Sequence, residues 1–284
     1  MLWDKKTACG RYTQWTVAAI GSGAALTLLG CSQPAAEDAV GTPKESDAAV
    51  GTLQIEANGE DFVRQGFTTK DGWDITFDRV DVKLANIAAY QAEPAFDPDQ
   101  DKSITTTQSP AEIAGPVTVD LAAGDETANP IIIGAVETAA GRYNALTWEL
   151  VAADEPALVM VGTATQAGTE IPFTIAMAPA LKFTCGDFVG ETRKGFLEAG
   201  DTATVEATFH FDHLFGDVDL PADDYLNQKS LGFEPFAALA NNGQVDLSPQ
   251  DLEANLSPQD YQQLQIIFEG LGHVGEGHCQ SQAL

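Results

Sequence analysis

The stretch Trp73-Asp74-Ile75-Thr76-Phe77-Asp78-Arg79-Val80-Asp81-Val82-Lys83-Leu84 alternates apolar and polar side chains. A period of two marks a strand with one face on a core. Trp73, Ile75 and Phe77 share one face, and Val80, Val82 and Leu84 share the next. The phase slips by one residue between Phe77 and Val80. Either a β-bulge at Asp78-Arg79 absorbs the extra residue, or two strands meet at a tight link. The same alternation recurs at Leu53, Ile55 and Ala57, at Val117, Val119 and Leu121, at Leu146, Trp148 and Leu150, and at Leu181, Phe183 and Cys185. Runs 158–164 and 171–176 flank Gln166-Ala167-Gly168-Thr169, a hairpin loop. Ile131-Ile132-Ile133 is a short apolar run, residues 60–66 suit a helical turn, and residues 91–115 read as a long polar connection.

About eight or nine short strands without long intervening helices predict a mostly β fold, a β-sandwich or open barrel. Helices come late. Ser248-Pro249-Gln250-Asp251 and Ser257-Pro258-Gln259-Asp260 each offer a serine N-cap, a proline at the first helical position and an acid near the positive helix end. Tyr261, Leu264, Ile267 and Phe268 form one stripe, Gly270 suits a C′ stop, and residues 234–241 suit a further short helix. These elements predict a small α-helical cap over about 214–284 on a single domain spanning 51–284.

Residues 1–30 read as a leader. Lys5, Lys6 and Arg11 precede an apolar run from Trp15 to Leu29, too short for a confident span. The run ends in Leu28-Leu29-Gly30-Cys31, which resembles a bacterial lipobox, with Cys31 as the acylated (palmitate-type) residue of a membrane lipoprotein. An ordinary secretory signal or a short anchor helix is the alternative. Ser32 after the cysteine resembles outer-membrane sorting in a diderm host, so the expected location is the cell envelope, on the periplasmic or outer face. Residues 31–50 are too polar to fold and read as a flexible tether.

The chain carries 14 basic and 42 acidic residues, a formal net charge of −28. Such a surface repels nucleic acid and anionic headgroups and gathers cations non-specifically. Beyond Cys31 two cysteines remain, Cys185 and Cys279, an even pair for an oxidising compartment and a candidate disulfide. A competing reading makes Cys279 a thiolate ligand beside His278.

All 4 histidines lie in the last third: His210 and His213 in HFDHLFGD, and His273 and His278 in GHVGEGHC. If the strand through Val205, Ala207, Phe209 and Phe211 continues, His210 and Asp212 lie on its other face. His213 can swing round if a turn follows. Gly272, Gly275 and Gly277 let the second group wrap closely. Four imidazoles with Asp212 and Glu276 as ligands or orienters suit zinc or copper. Each group alone could equally be an oriented or exposed set of polar residues. A weaker cation signal is Asp97-Pro98-Asp99-Gln100-Asp101, which has EF-hand spacing for calcium but places Lys102 and Gln108 where glycine and glutamate belong.

The segments DGWDITFDRVDVKLANIAAY and AAGRYNALTWELV resemble parts of uncharacterised bacterial surface and periplasmic lipoprotein β-sandwiches, some of them in the MbnP-like group. That resemblance implies an extracytoplasmic β-sandwich and, for the MbnP-like group, copper binding; it carries no ligand residue onto this chain. Neither a G-x-S-x-G elbow nor an H-E-x-x-H pair is present. The sequence therefore favours capture, buffering or delivery of a divalent transition metal. A metal-dependent hydrolytic enzyme and a structural or adhesion lipoprotein with a structural metal are the alternatives, and no protein partner can be read.

Overall fold

The computed structural model describes residues 49–125, 127–152 and 155–284. The leader, Cys31 and most of the expected tether lie outside the described residues. In chain order the first half contains β1 (Val50–Asn58), α1 (Glu60–Gln65), β2 (Phe67–Thr68), β3 (Asp74–Tyr90), β4 (Ala111–Ile113), β5 (Val117–Asp120), β6 (Ile131–Ala139), β7 (Gly141–Arg142) and β8 (Ala145–Leu150). Then come β9 (Leu158–Gln166), β10 (Thr169–Met177), β11 (Leu181–Cys185), β12 (Phe196–Leu197) and β13 (Thr202–Phe209). The last part holds α2 (Asp212–Phe215), α3 (Tyr225–Lys229), α4 (Glu234–Ala237), β14 (Val245–Leu247), α5 (Pro249–Asn255), α6 (Pro258–Glu269), β15 (Gly272–Val274) and β16 (Gly277–Ala283).

The fold is mostly β, as the alternation predicts: a curled, open half-barrel sheet with a few short helices. The sheet runs β14-β10-β9-β3-β8-β11-β16-β15-β13-β1-β6, with β2, β4 and β5 also paired to β3. The long strand β3 contains the anticipated bulge, since its register against β9 shifts between Phe77 and Arg79. That shift lets Ile75 and Val80 both face the core, each essentially buried. The β9–β10 turn uses Ala167 and Gly168, both at positive φ, the backbone that matches strand twist in a two-residue hairpin.

Two elements differ from the sequence reading. The 91–115 connection contains β4, which folds back to pair Ile113 with Ile87. Three residues give too short an alternation to stand out. The second difference lies in the expected 214–284 cap, whose helices end at Glu269. Residues 272–283 return to the sheet as β15 and β16, between β11 and β13. Glycine-rich and polar, this hairpin has no apolar alternation to announce it.

The helices cover the concave side. Phe211, Phe215, Phe233 and Phe236 are fully buried there, and Phe77 packs against Phe173, Phe211 and Phe215 at centroid distances of 5.9, 6.4 and 6.3 Å. Both serine-proline starts behave as read: the Ser248 and Ser257 side chains accept from Asp251 and Asp260 backbone N–H groups at 3.1 Å. Gly270 ends α6 at φ −99°, not in the left-handed region a C′ glycine favours.

Two cross-links hold the curl. Cys185 and Cys279 stand directly opposite each other on β11 and β16 and form a disulfide, with a Cα–Cα distance of 4.3 Å. Because it joins residues 94 apart, reduction should lower unfolding free energy by about 4–5 kcal/mol in the chain-entropy view, read as a shifted denaturant midpoint. The second link is ionic. Parallel pairing of β1 with β13 sets Glu56 opposite Glu206, and Lys194 Nζ lies 2.8 and 2.6 Å from their carboxylates. Burial alone would lower the Lys194 pKa; the hydrogen bonds to Glu206 and Glu56 outweigh it and raise it. Lys194→Met leaves two facing, buried carboxylates without a counter-charge and should cost about 3 kcal/mol in chemical unfolding.

Candidate metal centre

Strand register brings the two histidine groups together. Antiparallel pairing sets Thr208 of β13 opposite His273 of β15, and His273 opposite His278 of β16. Directly opposed residues project from the same face. The pairing runs one step past β13, where the His210 backbone N–H donates to the Leu271 carbonyl at 3.2 Å. His210, two residues after Thr208, therefore stays on that face. The chain then leaves the sheet. Asp212 opens α2 and does not continue a strand, so the expected alternation ends at His210. The helical turn swings His213 back toward the other rings.

The His210 and His273 rings stack at 4.0 Å between centroids, His213 lies 5.0 Å from His273 and 5.5 Å from His210, and His278 lies 4.6 Å from His273. His210, His213 and His273 each offer a ring nitrogen within 4.8 Å of the others, a set that could hold a metal ion. His278 is exposed at the edge and is not one of those three.

The tautomers suit ligation. His210 Nε2 faces the Gly275 carbonyl at 3.2 Å, while His213 Nδ1 and His273 Nε2 both face the Gly270 carbonyl, at 3.0 and 3.1 Å. A carbonyl only accepts, so each of those nitrogens carries the proton. In the neutral ring the other nitrogen, Nδ1 of His273 and Nε2 of His213, keeps its lone pair. His273 Nδ1 is buried and has no hydrogen-bond partner among the described residues. An orphaned acceptor at 2 % residue exposure is costly unless something binds it. Burial first, then the charges of His210, His213 and His278, push the His273 pKa down to about 3. Burial also lowers His213, with Asp212 partly opposing it. Both rings are therefore neutral near pH 7, the state that ligates metal. A three-imidazole set fits zinc or copper.

Glu60 is the residue that the sequence reading missed. Its Oε1 lies 3.4 Å from His210 Nε2, the nitrogen that faces the Gly275 carbonyl, so a carboxylate stands beside that ring. It sits at φ 59°, a strained position for a non-glycine residue. Burial, then the carboxylates of Glu276, Asp212, Glu206 and Asp61, raise its pKa to about 7. Nothing local in Asn58-Gly59-Glu60 announces this role, because the partner is 150 positions away. Asp212 accepts from the His213 backbone N–H at 2.9 Å, which places it as an orienter, and Glu276 stands exposed at the hairpin turn.

A polar chain locks the arrangement. Lys194 and Asn58 hold Glu206, whose Oε1 accepts from the Thr208 hydroxyl at 3.1 Å, and Thr208 Oγ1 accepts from the Gly275 N–H at 2.8 Å. Gly275 has φ +59°, and a Cβ there would lie 2.0 Å from the Val189 carbonyl oxygen, so only glycine fits this turn.

Elsewhere, two of the three carboxylates of the acidic loop bond within the loop itself. Asp97 accepts from the Asp99 N–H and the Gln100 amide, at 3.0 and 2.8 Å, and Asp101 accepts from the Asp97 N–H at 2.9 Å. Cys279 is in the disulfide and is no thiolate ligand.

No family model matches this chain, and no curated protein does. One solved structure, a Bacteroides eggerthii protein provisionally assigned to cell adhesion, is similar at 17 % identity over 60 % of this chain, with a TM-score of 0.18. The match spans 47 % of that chain's length.

The site generates a two-signed prediction for Glu60→Gln. A carboxyl whose folded pKa rises from 4.5 to about 7 costs the metal-free fold nothing below pH 4.5, and its penalty is complete above about 7. At pH 8 the metal-free variant should be more stable than the native chain by about 1–3 kcal/mol, with the gain gone at pH 4. The same change should weaken zinc affinity about 10–100-fold, read by competition with a chelating dye.

Proposed function

We infer that this chain is a lipid-anchored, extracytoplasmic protein that captures, buffers or delivers a divalent transition metal, zinc or copper. His210, His213 and His273 are the ligands, and His278 stands at the rim as a fourth donor or an entry ligand. The observation that carries the reading is geometric: three imidazoles have ring nitrogens within 4.8 Å of one another, each sets one nitrogen against a backbone carbonyl, and His273 Nδ1 is buried without a partner among the described residues. The strongly acidic surface supports it by concentrating cations near the site.

The lipid anchor at Cys31 rests on the leader sequence. Among the described residues no helix is long and apolar enough to cross a membrane. The likeness to MbnP-like copper proteins belongs with this reading and rests on the two sequence segments alone.

A hydrolytic enzyme is the second reading. It is favoured by one observation, that His213 and His278 line an open groove. A metal with three protein ligands and an accessible fourth position acts as a Lewis acid.

The deciding measurement is elemental analysis of untagged protein purified from membranes. One zinc or copper per chain is expected. His210→Ala and His273→Ala should each lose stoichiometric metal, whereas His278→Ala should keep it with affinity lowered about tenfold. Full metal retention by His273→Ala would remove the basis of the proposal.

A further inference from the structure

An open groove of about 410 Å³ runs from the exposed rim of the histidine cluster along α3 and α6. His213 and His278 form one end; Tyr225, Lys229, Ile266 and Ile267 line the rest. Its size falls in the range of small-molecule sites, about 300–1,000 Å³. Its walls are unusual for this surface. Tyr225 is 76 % and Ile266 51 % exposed, two of the chain's exposed large hydrophobic side chains, and they stand on neighbouring helices facing one cleft. Lys229, with its ammonium 5.8 Å from the Tyr225 ring centroid, is the lysine in a lining that, among the described residues, holds no acid. On a chain of net charge −28, a cleft with a cation and no carboxylate selects for an anion.

We propose that this groove seats a small organic acid with an apolar or aromatic body, one that also carries a donor for the metal. The body lies between Tyr225 and Ile266, the carboxylate meets Lys229, and the donor end reaches the rim at His213 and His278. The inference rests on the metal reading and deepens it: the ion is taken up or handed on as a complex with such an acid.

Salicylate, which has a phenolic donor, and benzoate, which has none, are the probes. Each is titrated calorimetrically into the full chain, zinc-loaded and after chelator treatment. Salicylate should bind the zinc-loaded protein more tightly than benzoate, and the difference should vanish after zinc removal. Ile266→Asp places a negative charge in the apolar wall and should weaken salicylate about tenfold. Lys229→Met should weaken it about fivefold. Both positions are exposed, so an unchanged melting temperature verifies the fold of each variant. Salicylate binding that ignores both substitutions, or no salicylate binding to protein that holds one zinc per chain, overturns the groove and leaves the metal reading standing. A chain that holds no zinc but binds salicylate and benzoate alike, dependent on Lys229 and Ile266, overturns the metal reading and leaves an anion groove.

Discussion

The main-chain pairing of the β15–β16 hairpin is what the remainder of this structure depends on. On one side β16 pairs with β11 from Leu181 to Cys185; on the other, β15 pairs with β13 at Thr208 and Phe209. Without that insertion the sheet would be two sheets, one ending at β11 and the other beginning at β13. Each would expose a row of unpaired N–H and C=O groups. The hairpin satisfies both rows, and the disulfide at Cys185–Cys279 makes the joint covalent on one side. The same pairing sets the histidine geometry, so architecture and candidate site are one device.

That device has an energetic asymmetry. Around His273 the chain buries imidazoles close together, with a glutamate at strained φ behind one of them and several carboxylates near it. Each of these features opposes folding in the absence of an ion, through desolvation, like charge or an unsatisfied nitrogen. A divalent cation held by these rings would reverse the sign of most of them at once, by accepting free lone pairs and neutralising the carboxylate field. The cost of building the site is carried by the apolar core and by the Lys194–Glu206–Thr208–Gly275 chain that pins the turn.

Much of the fold was legible because long alternating strands are local signals. The bulge between Phe77 and Val80 could be found from a one-residue phase slip, and the two-residue turn at Ala167-Gly168 from its glycine. Both serine-proline helix starts were plain. The disulfide followed from there being two cysteines beyond Cys31. Three things were hidden, each for a non-local reason. The hairpin at 272–283 is recognised as strand only through its partners on β11 and β13, since its own residues are mostly polar and small. The break in the alternation after His210 comes where Phe211 and Phe215 turn into the core, both fully buried. Glu60 acquires its place through tertiary contact with a ring 150 positions away, and no spacing rule reaches that far. Grouping of the histidines in sequence pointed to rings that the fold brings near one another; it did not separate His210, His213 and His273, whose nitrogens lie within 4.8 Å, from exposed His278.

The hairpin's place in the sheet also constrains order in time. A polypeptide emerges from its N-terminal side, and β1 to β13 are complete before residues 272–283 exist. The two half-sheets can assemble early, yet neither can close on the other until the hairpin arrives between them. Until then His210 and His213 face no opposing imidazole. A nascent chain thus lacks the gathered imidazoles, which come together in a single late event that also joins the two half-sheets. Any ion that the cluster held would in this way await a chain that had finished folding.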